Sequence, residues 1–369
     1  MTVPRRLRSP PPTPARLREQ FAAPLAGLTT LRLGGPARRL VEATRDDEIV
    51  EAIAAADAVG EPLLVMAGGS NLVIADAGFE GTVIRIRTRG VSPTASGSRV
   101  RLTVGAGEPW DELVAHAVDD GLAGIECLAG IPGVNGATLI QNVGAYGQQV
   151  ADSVVSVRAY DRMARRVVDL ATSECGFGYR SSMLSRSARF VVLGVAFELE
   201  RSALGRPVHY PVLACALEVE LGARPPLTAV REAVLALRRR KGMVLDLDDP
   251  DSVSAGSFFL NPLLSAERFA ALEHRVRERL GQHVQPPAWP EANGAIKISA
   301  AWLIERAGFQ RGFGEGRVGI STKHTLALVN RGGASTSELI ALARWIRRGV
   351  WEMFGVTLRP EPTLVGVEL

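Results

Sequence analysis

Residues 128–147 have the composition of a segment that binds a ligand through its backbone. The segment reads LAGIPGVNGATLIQNVGAYG, and its twenty residues include five glycines and no charged side chain. Linkers are usually polar, and helices and strands avoid so much glycine in their interiors. Without side chains in the way, backbone N–H groups can approach the phosphate oxygens of a nucleotide. The apolar side chains of the segment would also suit a flat aromatic ring.

Two shorter glycine clusters precede this segment, at residues 68–69 and 105–107. Each follows an apolar run predicted to be a strand or comes before a predicted helix. For any single pair, a tight turn that needs a positive φ is the simpler interpretation. Three clusters so close together in the chain favour a bound dinucleotide.

The usual dinucleotide fingerprint of doubly wound folds, GxGxxG, is absent. The sequence GAGEPW has Trp110 where the third glycine belongs, and GFGEGR has Arg317 there. In the long segment, Gly130, Gly133 and Gly136 follow a different spacing of three residues. A dinucleotide would therefore bind this chain in another kind of fold.

Composition and charge argue against several other kinds of protein. The 43 Lys and Arg residues exceed the 39 Asp and Glu residues by only four and are scattered, which disfavours a nucleic-acid partner. No apolar run is long enough for a transmembrane helix, so no membrane partner is predicted. Cys127, Cys175 and Cys215 are odd in number and far apart, which indicates free thiols in a reducing cytoplasm.

No metal site is predicted. The five His residues are isolated and give no metal-ligand spacing. The acidic run DLDDPDS begins like a calcium loop, but Pro250 occupies the fifth loop position and Ser257 the twelfth, where a Glu should bind. We interpret the run as a solvated acidic loop.

Strand-like and helix-like runs alternate along the chain, which predicts an α+β fold. Thr44 with Asp47 is predicted to cap the first helix, and residues 91–99 to form an exposed connection between subdomains. The composition of the chain changes at about Thr228, and from there onward helices are predicted. They lie at residues 228–242, 266–280, 300–307 and 336–354, the last capped by Ser335 with Glu338.

Six motifs together resemble one family. GGSNLVI, GAGEPWDELV, GIPGVNGATLIQNVGAYG, YRSS, AGSFFLNP and RPEP occur in this order, which is the order seen in UDP-N-acetylenolpyruvoylglucosamine reductases. These are FAD enzymes of bacterial cell-wall precursor synthesis, and the resemblance covers residues 19–369. It implies non-covalent FAD, NADPH as hydride donor, a UDP-sugar substrate and a cytoplasmic enzyme.

The resemblance also implies a domain organisation. The FAD-binding part would have the two-subdomain fold shared with vanillyl-alcohol oxidase and p-cresol methylhydroxylase. A C-terminal α+β substrate-binding domain would follow it. The expected division is a disordered tail at 1–18, FAD-binding subdomains at 19–90 and 91–227, a substrate-binding domain at 228–356, and a return of 357–369 to the first subdomain.

Three catalytic residues are carried over from the family motifs. Arg180 matches the arginine that holds the substrate carboxylate, a task that suits a planar guanidinium. Glu361 matches the glutamate beside that carboxylate, and Ser257 matches the residue proposed to protonate the enol. Without the motifs, the simpler interpretations are a surface arginine, a surface glutamate and a turn serine.

Binding residues follow from the same resemblance. The expected substrate contacts are Tyr146, Tyr179, Tyr210, Lys241 and Asn261. Lys241 is one of only three lysines, with Lys297 and Lys323. The expected cofactor contacts are Gly68, Gly69, Ser70, Asn71, Leu72, Gly130, Ile131, Pro132, Gly133, Gly136, Ala137, Asn142, Gly144 and Ala145.

One position departs from the family, and two other functions remain open. Leu260 stands where the family usually has Lys, which removes a charge beside the site. An alternative is another FAD-dependent oxidoreductase of the same fold that acts on a small alcohol or sugar lactone. Such enzymes commonly attach FAD through a His near the phosphate loop, and none falls between Leu31 and Ala115. A flavin-free nucleotide-binding regulator is the third hypothesis.

Overall fold

The computed structural model describes residues 18–185, 187–246, 248–291 and 294–369. The tail predicted at residues 1–18 lies outside these ranges, apart from Arg18, which begins the first strand. The strands are β1 (Arg18–Pro24), β2 (Pro36–Ala43), β3 (Leu63–Met66), β4 (Leu72–Ile74), β5 (Phe79–Ile86), β6 (Val91–Ser96), β7 (Arg99–Gly105), β8 (Leu122–Ala123), β9 (Gly144–Ala145), β10 (Gln148–Gln149), β11 (Val154–Asp161), β12 (Arg166–Ala171), β13 (Phe190–Arg201), β14 (Ser254–Ser257), β15 (Leu263–Leu264), β16 (Ala288–Pro290), β17 (Ile296–Ile298), β18 (Val318–Ile320), β19 (Ala327–Asn330) and β20 (Thr363–Val365). The helices are α1 (Asp46–Ala58), α2 (Trp110–Asp119), α3 (Asn135–Thr138), α4 (Pro211–Leu217), α5 (Leu227–Arg240), α6 (Ala266–Leu280), α7 (Ala300–Arg306) and α8 (Thr336–Phe354).

A four-stranded sheet of order β1-β2-β5-β3 forms the first subdomain. Strands β2 and β3 both run parallel to β5, and the crossover between them contains α1. The cap of α1 differs from the prediction. Glu48, not Asp47, accepts the N–H groups of Thr44 and Arg45, at 2.7 and 3.1 Å. The N-cap residue is Arg45, one residue after Thr44. The carboxylate that bonds the N-cap N–H is therefore that of Glu48, three residues after Arg45.

A six-stranded antiparallel sheet forms the second subdomain, in the order β12-β11-β13-β7-β6 with β8 also on β13. The connection predicted at residues 91–99 was wrong, because β6 pairs with β7 from Val91 opposite Val104 to Ser96 opposite Arg99. Every residue of β6 is exposed. An edge strand exposed on both faces has the polar composition of a loop, which explains the error.

Helix α5 packs on the second subdomain rather than on the C-terminal domain that we predicted to begin at residue 228. Its buried residues Val230 and Val234 share one core with Leu113 of α2 and with Leu128. The amphipathic pattern of α5 predicts that it buries one face, but not which partner covers that face. The C-terminal domain therefore begins after α5.

The C-terminal domain contains two three-stranded sheets, β14-β19-β18 and β15-β17-β16, and helices α6, α7 and α8. The predicted helices at 266–280 and 336–354 are confirmed at both ends, and α7 ends one residue earlier than predicted. The predicted cap of α8 is also confirmed, since Ser335 and Glu338 each accept the other's backbone N–H. Among the described helices, none is both long and apolar enough to cross a membrane.

The segment after α8 returns to the first part of the chain. Strand β20 runs parallel to β4, with Thr363 opposite Leu72 and Val365 opposite Ile74. Val365 and Ile74 belong to the same buried core as residues of the four-stranded sheet. This pairing brings Glu361, just before β20, next to the glycine loop that precedes β4.

Candidate functional site

The glycine loop between β3 and β4 lies directly against the long glycine segment. A side chain on Gly68 would meet the Cα of Gly133 at 2.7 Å, and the Ser70 hydroxyl donates to the Pro132 carbonyl at 3.0 Å. Gly69 has φ +60°, and a Cβ there would lie 1.9 Å from the Leu28 carbonyl oxygen. Close approach of backbone to backbone is therefore the immediate reason for these glycines.

Unpaired backbone amides line this contact. Within the described ranges, the N–H groups of residues 68–71 donate to no other residue, and the same holds for Ile131 and Gly133. Successive free N–H groups form an anion-binding concavity, and an unpaired buried amide is costly without a ligand. The diphosphate of a dinucleotide fits this arrangement.

The glycine cluster at residues 105–107 is different. Gly105, Ala106 and Gly107 all donate their N–H groups within the protein, Gly107 to the Thr88 hydroxyl at 3.2 Å. A side chain on Gly107 would meet the Thr88 nitrogen at 2.6 Å. This cluster is therefore a tight contact and offers no free amide to a ligand.

A small cavity lies beside the two loops, lined by Pro132, Thr30, Gly256 and Arg238 among others. Arg238 Nη2 donates to the Met243 carbonyl, but Nε is buried with no hydrogen-bond partner in the described part of the chain. Burial lowers the pKa of Arg238 to about 10, against the opposing effect of nearby acids. An anion here would satisfy both the Nε–H group and the charge.

Some residues predicted to contact a cofactor have their side chains engaged within the protein. Asn142 donates to Gln149 Oε1 and to the Gly178 carbonyl, and its Oδ1 accepts from the Ala151 N–H. A ligand could therefore reach Asn142 only through its backbone. A side chain on Gly136 would meet Ala106 at 2.8 Å, so this glycine also serves packing. Leu72 packs into the core of the first subdomain. Ala137 lies on α3 and Ala145 in β9, and Gly130 follows the buried residue Ala129.

Arg180 and Glu361 form an ion pair, with 3.3 Å between Nε and Oε1. Arg180 Nη2 also donates to the Gly144 carbonyl at 2.6 Å, and a Cβ on Gly144 would lie 3.1 Å from the guanidinium. Gly144 therefore leaves room for Arg180, which has a φ of +48° that non-glycine residues rarely adopt. Burial raises the pKa of Glu361, while Arg180 acts in the opposite direction. Both side chains keep about a quarter of their surface exposed, at 25% and 22%.

Tyr179 lies between two cations. Its ring centroid is 5.5 Å from the Arg180 guanidinium and 5.3 Å from Lys297 Nζ. Burial raises the pKa of Tyr179, and the two cations and the Asn261 amide oppose that effect. Asn261 Oδ1 is itself occupied by the Ala300 N–H at 2.9 Å. Lys297 was not among the predicted site residues, and its Nζ pairs with Glu291.

Ser257 is the last residue of β14. In the described structure its hydroxyl makes no hydrogen bond, so it is available to a ligand. The next residue, Phe258, accepts the Glu361 N–H at 2.8 Å, which brings Ser257 near Glu361. The role of a turn serine belongs instead to Ser254, whose hydroxyl accepts the Gly256 N–H at 3.1 Å.

A second basic cluster, besides the two cations around Tyr179, lies near the end of α5. It contains Arg238, Lys241, Arg311 and His324. Burial and the neighbouring Arg238 lower the pKa of Lys241. Burial, followed by Lys241, Arg311 and Arg238, lowers the pKa of His324 to about 4. Cations that disfavour one another's charge in this way suit an anionic ligand.

Two of the three tyrosines predicted to contact the substrate, Tyr146 and Tyr210, touch each other. Tyr210, just before α4, packs edge-on against Tyr146 with 5.6 Å between ring centroids. Tyr210 is 41% exposed. Arg238 influences the pKa of Tyr146, which connects these rings with the basic cluster.

The acidic run before β14 is not simply solvated, as we had predicted. Asp251 is buried and accepts the Thr322 N–H and hydroxyl at 2.8 and 2.5 Å. Asp249 pairs with Lys323 at 2.8 Å. The run therefore attaches this loop to the segment before β19. Among the described residues, no group of three or more His, Cys, Asp or Glu could hold a metal ion.

Comparison with known proteins identifies the family. Residues 37–168 match an FAD binding domain, and residues 249–365 match the C-terminal domain of UDP-N-acetylenolpyruvoylglucosamine reductase. The reductase of that name from Thermobifida fusca is 56% identical over 347 residues, covering 94% of this chain and 98% of the relative. The Streptomyces coelicolor reductase is 55% identical over 355 residues, covering 96% and 92%. The chain belongs to this reductase family.

A solved structure of a reductase from this family has the architecture described above. The crystal structure of the Thermus caldophilus reductase covers 95% of this chain and 99% of its own, with a TM-score of 0.63 and 24% identity, and shows the same fold. The predicted fold class is confirmed, with an FAD-binding domain followed by the family's C-terminal domain. The C-terminal match begins at residue 249, after α5, in agreement with the packing of that helix. The chain is an FAD-dependent oxidoreductase, which excludes the flavin-free regulator.

Proposed function

We propose that the protein reduces UDP-N-acetylenolpyruvoylglucosamine to UDP-N-acetylmuramate with NADPH, as a cytoplasmic step of peptidoglycan precursor synthesis. The observation that carries the proposal is the Arg180–Glu361 pair beside Gly144 in the glycine segment. The enolpyruvyl substrate has a carboxylate, and its reduction needs a cation there and a proton donor nearby. NADPH and the pathway are taken from the family resemblance.

The cofactor seat would hold FAD without a covalent bond. The free amides of residues 68–71, Ile131 and Gly133 would bind its diphosphate. When bound, FAD supplies the chemistry of accepting a hydride from NADPH and delivering one to the enolpyruvyl group. The protein has to align the two substrates, stabilise the carboxylate and provide a proton.

Arg180 would hold the carboxylate of the enolpyruvyl group. Its planar fork can make two parallel hydrogen bonds and stabilise the charge that grows when the methylene carbon gains a hydride. Glu361, with a raised pKa, would lie beside the same carboxylate and limit the repulsion between two anions by holding a proton.

Ser257 would complete the reduction by donating its hydroxyl proton to the carbon next to the carboxylate. The carbon–hydrogen bond forms as the serine O–H bond breaks, and solvent then returns a proton to the serine oxygen. A hydroxyl with no hydrogen-bond partner among the described residues suits this role. A serine is a weak acid, so its position relative to the enolate has to supply much of the effect.

The diphosphate of the UDP-sugar would lie in the second basic cluster. Tyr210 and Lys241 are the proposed contacts, and Lys241 is a compact charge with a lowered pKa. Leu260 provides no cation, and its N–H is bonded to the Arg359 carbonyl at 3.0 Å. The ammonium of Lys297 lies near the Tyr179 ring and is paired with Glu291.

Two half-reactions test the proposed function. We expect purified protein to contain one FAD per chain, released into the supernatant by acid precipitation. Anaerobic NADPH should bleach the flavin band, and UDP-N-acetylenolpyruvoylglucosamine should restore it. If NADPH bleaches the flavin but this substrate never restores it, the assigned substrate is wrong. The small alcohol or sugar lactone alternative would then be tested in the same way.

A further inference from the structure

The main-chain carbonyl of Glu361 accepts two side-chain amides from the cofactor-binding part of the chain. Gln141 Nε2 donates to this oxygen at 2.6 Å, and Asn71 Nδ2 reaches it at 3.4 Å. The amides also bind each other, since Asn71 Nδ2 donates to Gln141 Oε1 at 2.9 Å. Asn71 belongs to the loop with free amides, and Gln141 belongs to the long glycine segment. Each end of the Gln141 amide is therefore in use.

The backbone on either side of this carbonyl is also fixed. The Glu361 N–H donates to the Phe258 carbonyl at 2.8 Å, and the Thr363 N–H donates to the Asn71 carbonyl at 2.9 Å. Pro362 follows Glu361, which confines Glu361 to an extended backbone and leaves no N–H at residue 362. The Glu361 carbonyl accepts its shorter hydrogen bond from the side-chain amide of Gln141. This bond therefore helps to hold the peptide in its orientation.

The Gln141 bond to the Glu361 carbonyl and the Glu361 N–H bond to the Phe258 carbonyl together fix the backbone that carries the Glu361 side chain. Its carboxylate is 3.3 Å from Arg180, which is anchored independently on the Gly144 carbonyl. Without the Gln141 bond, small shifts of residue 361 would move the carboxylate relative to a guanidinium that is held separately. Misplacement by about 1 Å at a reacting centre can cost on the order of 10²-fold in rate.

We propose that Gln141 is a positioning residue that holds Glu361 opposite Arg180 through the Glu361 carbonyl. The inference rests on the proposed function, in which Glu361 acts beside the substrate carboxylate. Asn71 completes the link by fixing the orientation of the Gln141 amide. Gln141 thus joins the cofactor seat to the acid without touching the substrate.

The first experiment compares Gln141→Met with wild type as full-length holoenzymes. Methionine has a similar size and shape but neither donates to the Glu361 carbonyl nor accepts well from Asn71. We expect flavin reduction by NADPH within about two-fold of wild type, and flavin reoxidation by the substrate about 10–100-fold slower. In contrast, Gln310→Met, which removes a similar amide bond to the Glu305 carbonyl at 3.2 Å, should leave both rates unchanged.

Hydrogen exchange provides a readout that does not depend on turnover. In the Gln141→Met holoenzyme, the Glu361 and Thr363 amides should exchange at least several-fold faster than in wild type, because they report on the peptide that Gln141 holds. The amides of β5 and β13 should be unchanged. Unchanged exchange at both positions, or wild-type reoxidation by the substrate, would overturn the proposal.

Gln141→Glu tests the hydrogen bond within one folded protein. A protonated carboxyl group can donate to the Glu361 carbonyl and accept from Asn71, whereas a carboxylate can only repel that carbonyl. The ratio of Gln141→Glu to wild-type reoxidation rates should therefore rise as the pH falls from 8 to 5.5. A ratio that does not change with pH would contradict a positioning role.

A double variant separates this proposal from the proposed function. If Gln141 acts through Glu361, Gln141→Met should add little to the loss already caused by Glu361→Gln. Losses that multiply would overturn the proposal. Failure of the substrate to reoxidise wild-type flavin would instead count against the proposed function, and the hydrogen-exchange result would still decide the placement of Glu361.

Discussion

The proposed cofactor seat and the proposed reaction site use different chemical groups. The first uses main-chain N–H groups, and the second uses side chains. The seat consists of backbone amides in two neighbouring glycine loops, where side chains are excluded by contacts such as that of Gly69 with Leu28. The proposed reaction site would consist of individual side chains, Arg180, Ser257 and Glu361, from segments far apart in the sequence. A backbone site tolerates no added atoms, whereas a side-chain site depends on a few functional groups.

A substitution in the seat should have the largest effect. We expect Gly69→Ala to release the flavin, because its Cβ would lie 1.9 Å from the Leu28 carbonyl oxygen. Gly97→Ala is the matched control, since Gly97 has nearly the same φ, +61° against +60°, but open space around it. The control should cost only about 1–2 kcal/mol from the left-handed conformation and keep its flavin. Flavin absorbance per chain and Tm measure both, and a yellow Gly69→Ala protein would remove the distinction between seat and site.

Loss of the Ser257 hydroxyl should affect only one half-reaction. In Ser257→Ala we expect unchanged FAD content and unchanged flavin reduction by NADPH. Reoxidation by the substrate should slow by about 10²–10⁴-fold, the usual contribution of a general acid. Ser257→Cys should recover part of the rate, because a thiol also donates a proton. Rapid mixing measures these rates, and a wild-type rate in Ser257→Ala would direct the search for the proton donor to Glu361.

Arg180→Lys keeps the charge and removes the planar fork. We expect the substrate-dependent half-reaction to slow by about 10²-fold, with little change in Tm or flavin content. Arg162 is the control, since it also makes two bonds to a carboxylate, Asp57, at 3.2 and 2.5 Å, but away from the site. Arg162→Lys should leave stopped-flow reoxidation unchanged. Equal losses in both variants would mean that Arg180 acts only as a structural residue.

His324 should give the smallest effect, on stability rather than rate. Burial, followed by the neighbouring cations, lowers the pKa of His324 from 6.5 to about 4 in the folded protein. Acidification across this interval therefore favours the unfolded chain. We expect His324→Gln to reduce the acid loss of stability by about 1–2 kcal/mol at pH 4 and to bring no such gain at pH 7.

Thermal unfolding at several pH values measures the effect of His324. His274→Gln serves as the control, because His274 is 69% exposed on α6 and lies apart from the basic cluster. Its profile should keep the wild-type shape. An unchanged profile in His324→Gln would show that the basic cluster does not disfavour a charged imidazole.

The sequence predicted best those features that depend on local chemistry. The capping pair Ser335 and Glu338 marked the start of α8, since a cap is a contact within four residues. The glycine loops were visible because excluded side chains change the composition of a whole segment. Strand β6 was missed because both of its faces are exposed, and periodicity gives no signal there.

Features that depend on packing between distant segments could not be predicted from the residues alone. Nothing in the sequence near Arg180 indicates Glu361, and only the family motifs singled out either residue. Asn142 was expected to contact a cofactor through its motif, yet its side chain is used within the protein. The positioning role proposed for Gln141 could not be predicted either, since a glutamine between an isoleucine and an asparagine has no distinguishing pattern.

The pairing of β20 with β4 has a consequence for the order in which a newly made chain matures. In a chain emerging from the ribosome, β4 and the glycine loop before it lack their strand partner until β20 has been translated. Glu361 reaches Arg180 only after β20 has been synthesised and has docked beside β4. The loop before β4 and the Arg180–Glu361 pair are therefore completed by the same late event, the docking of the last residues of the chain.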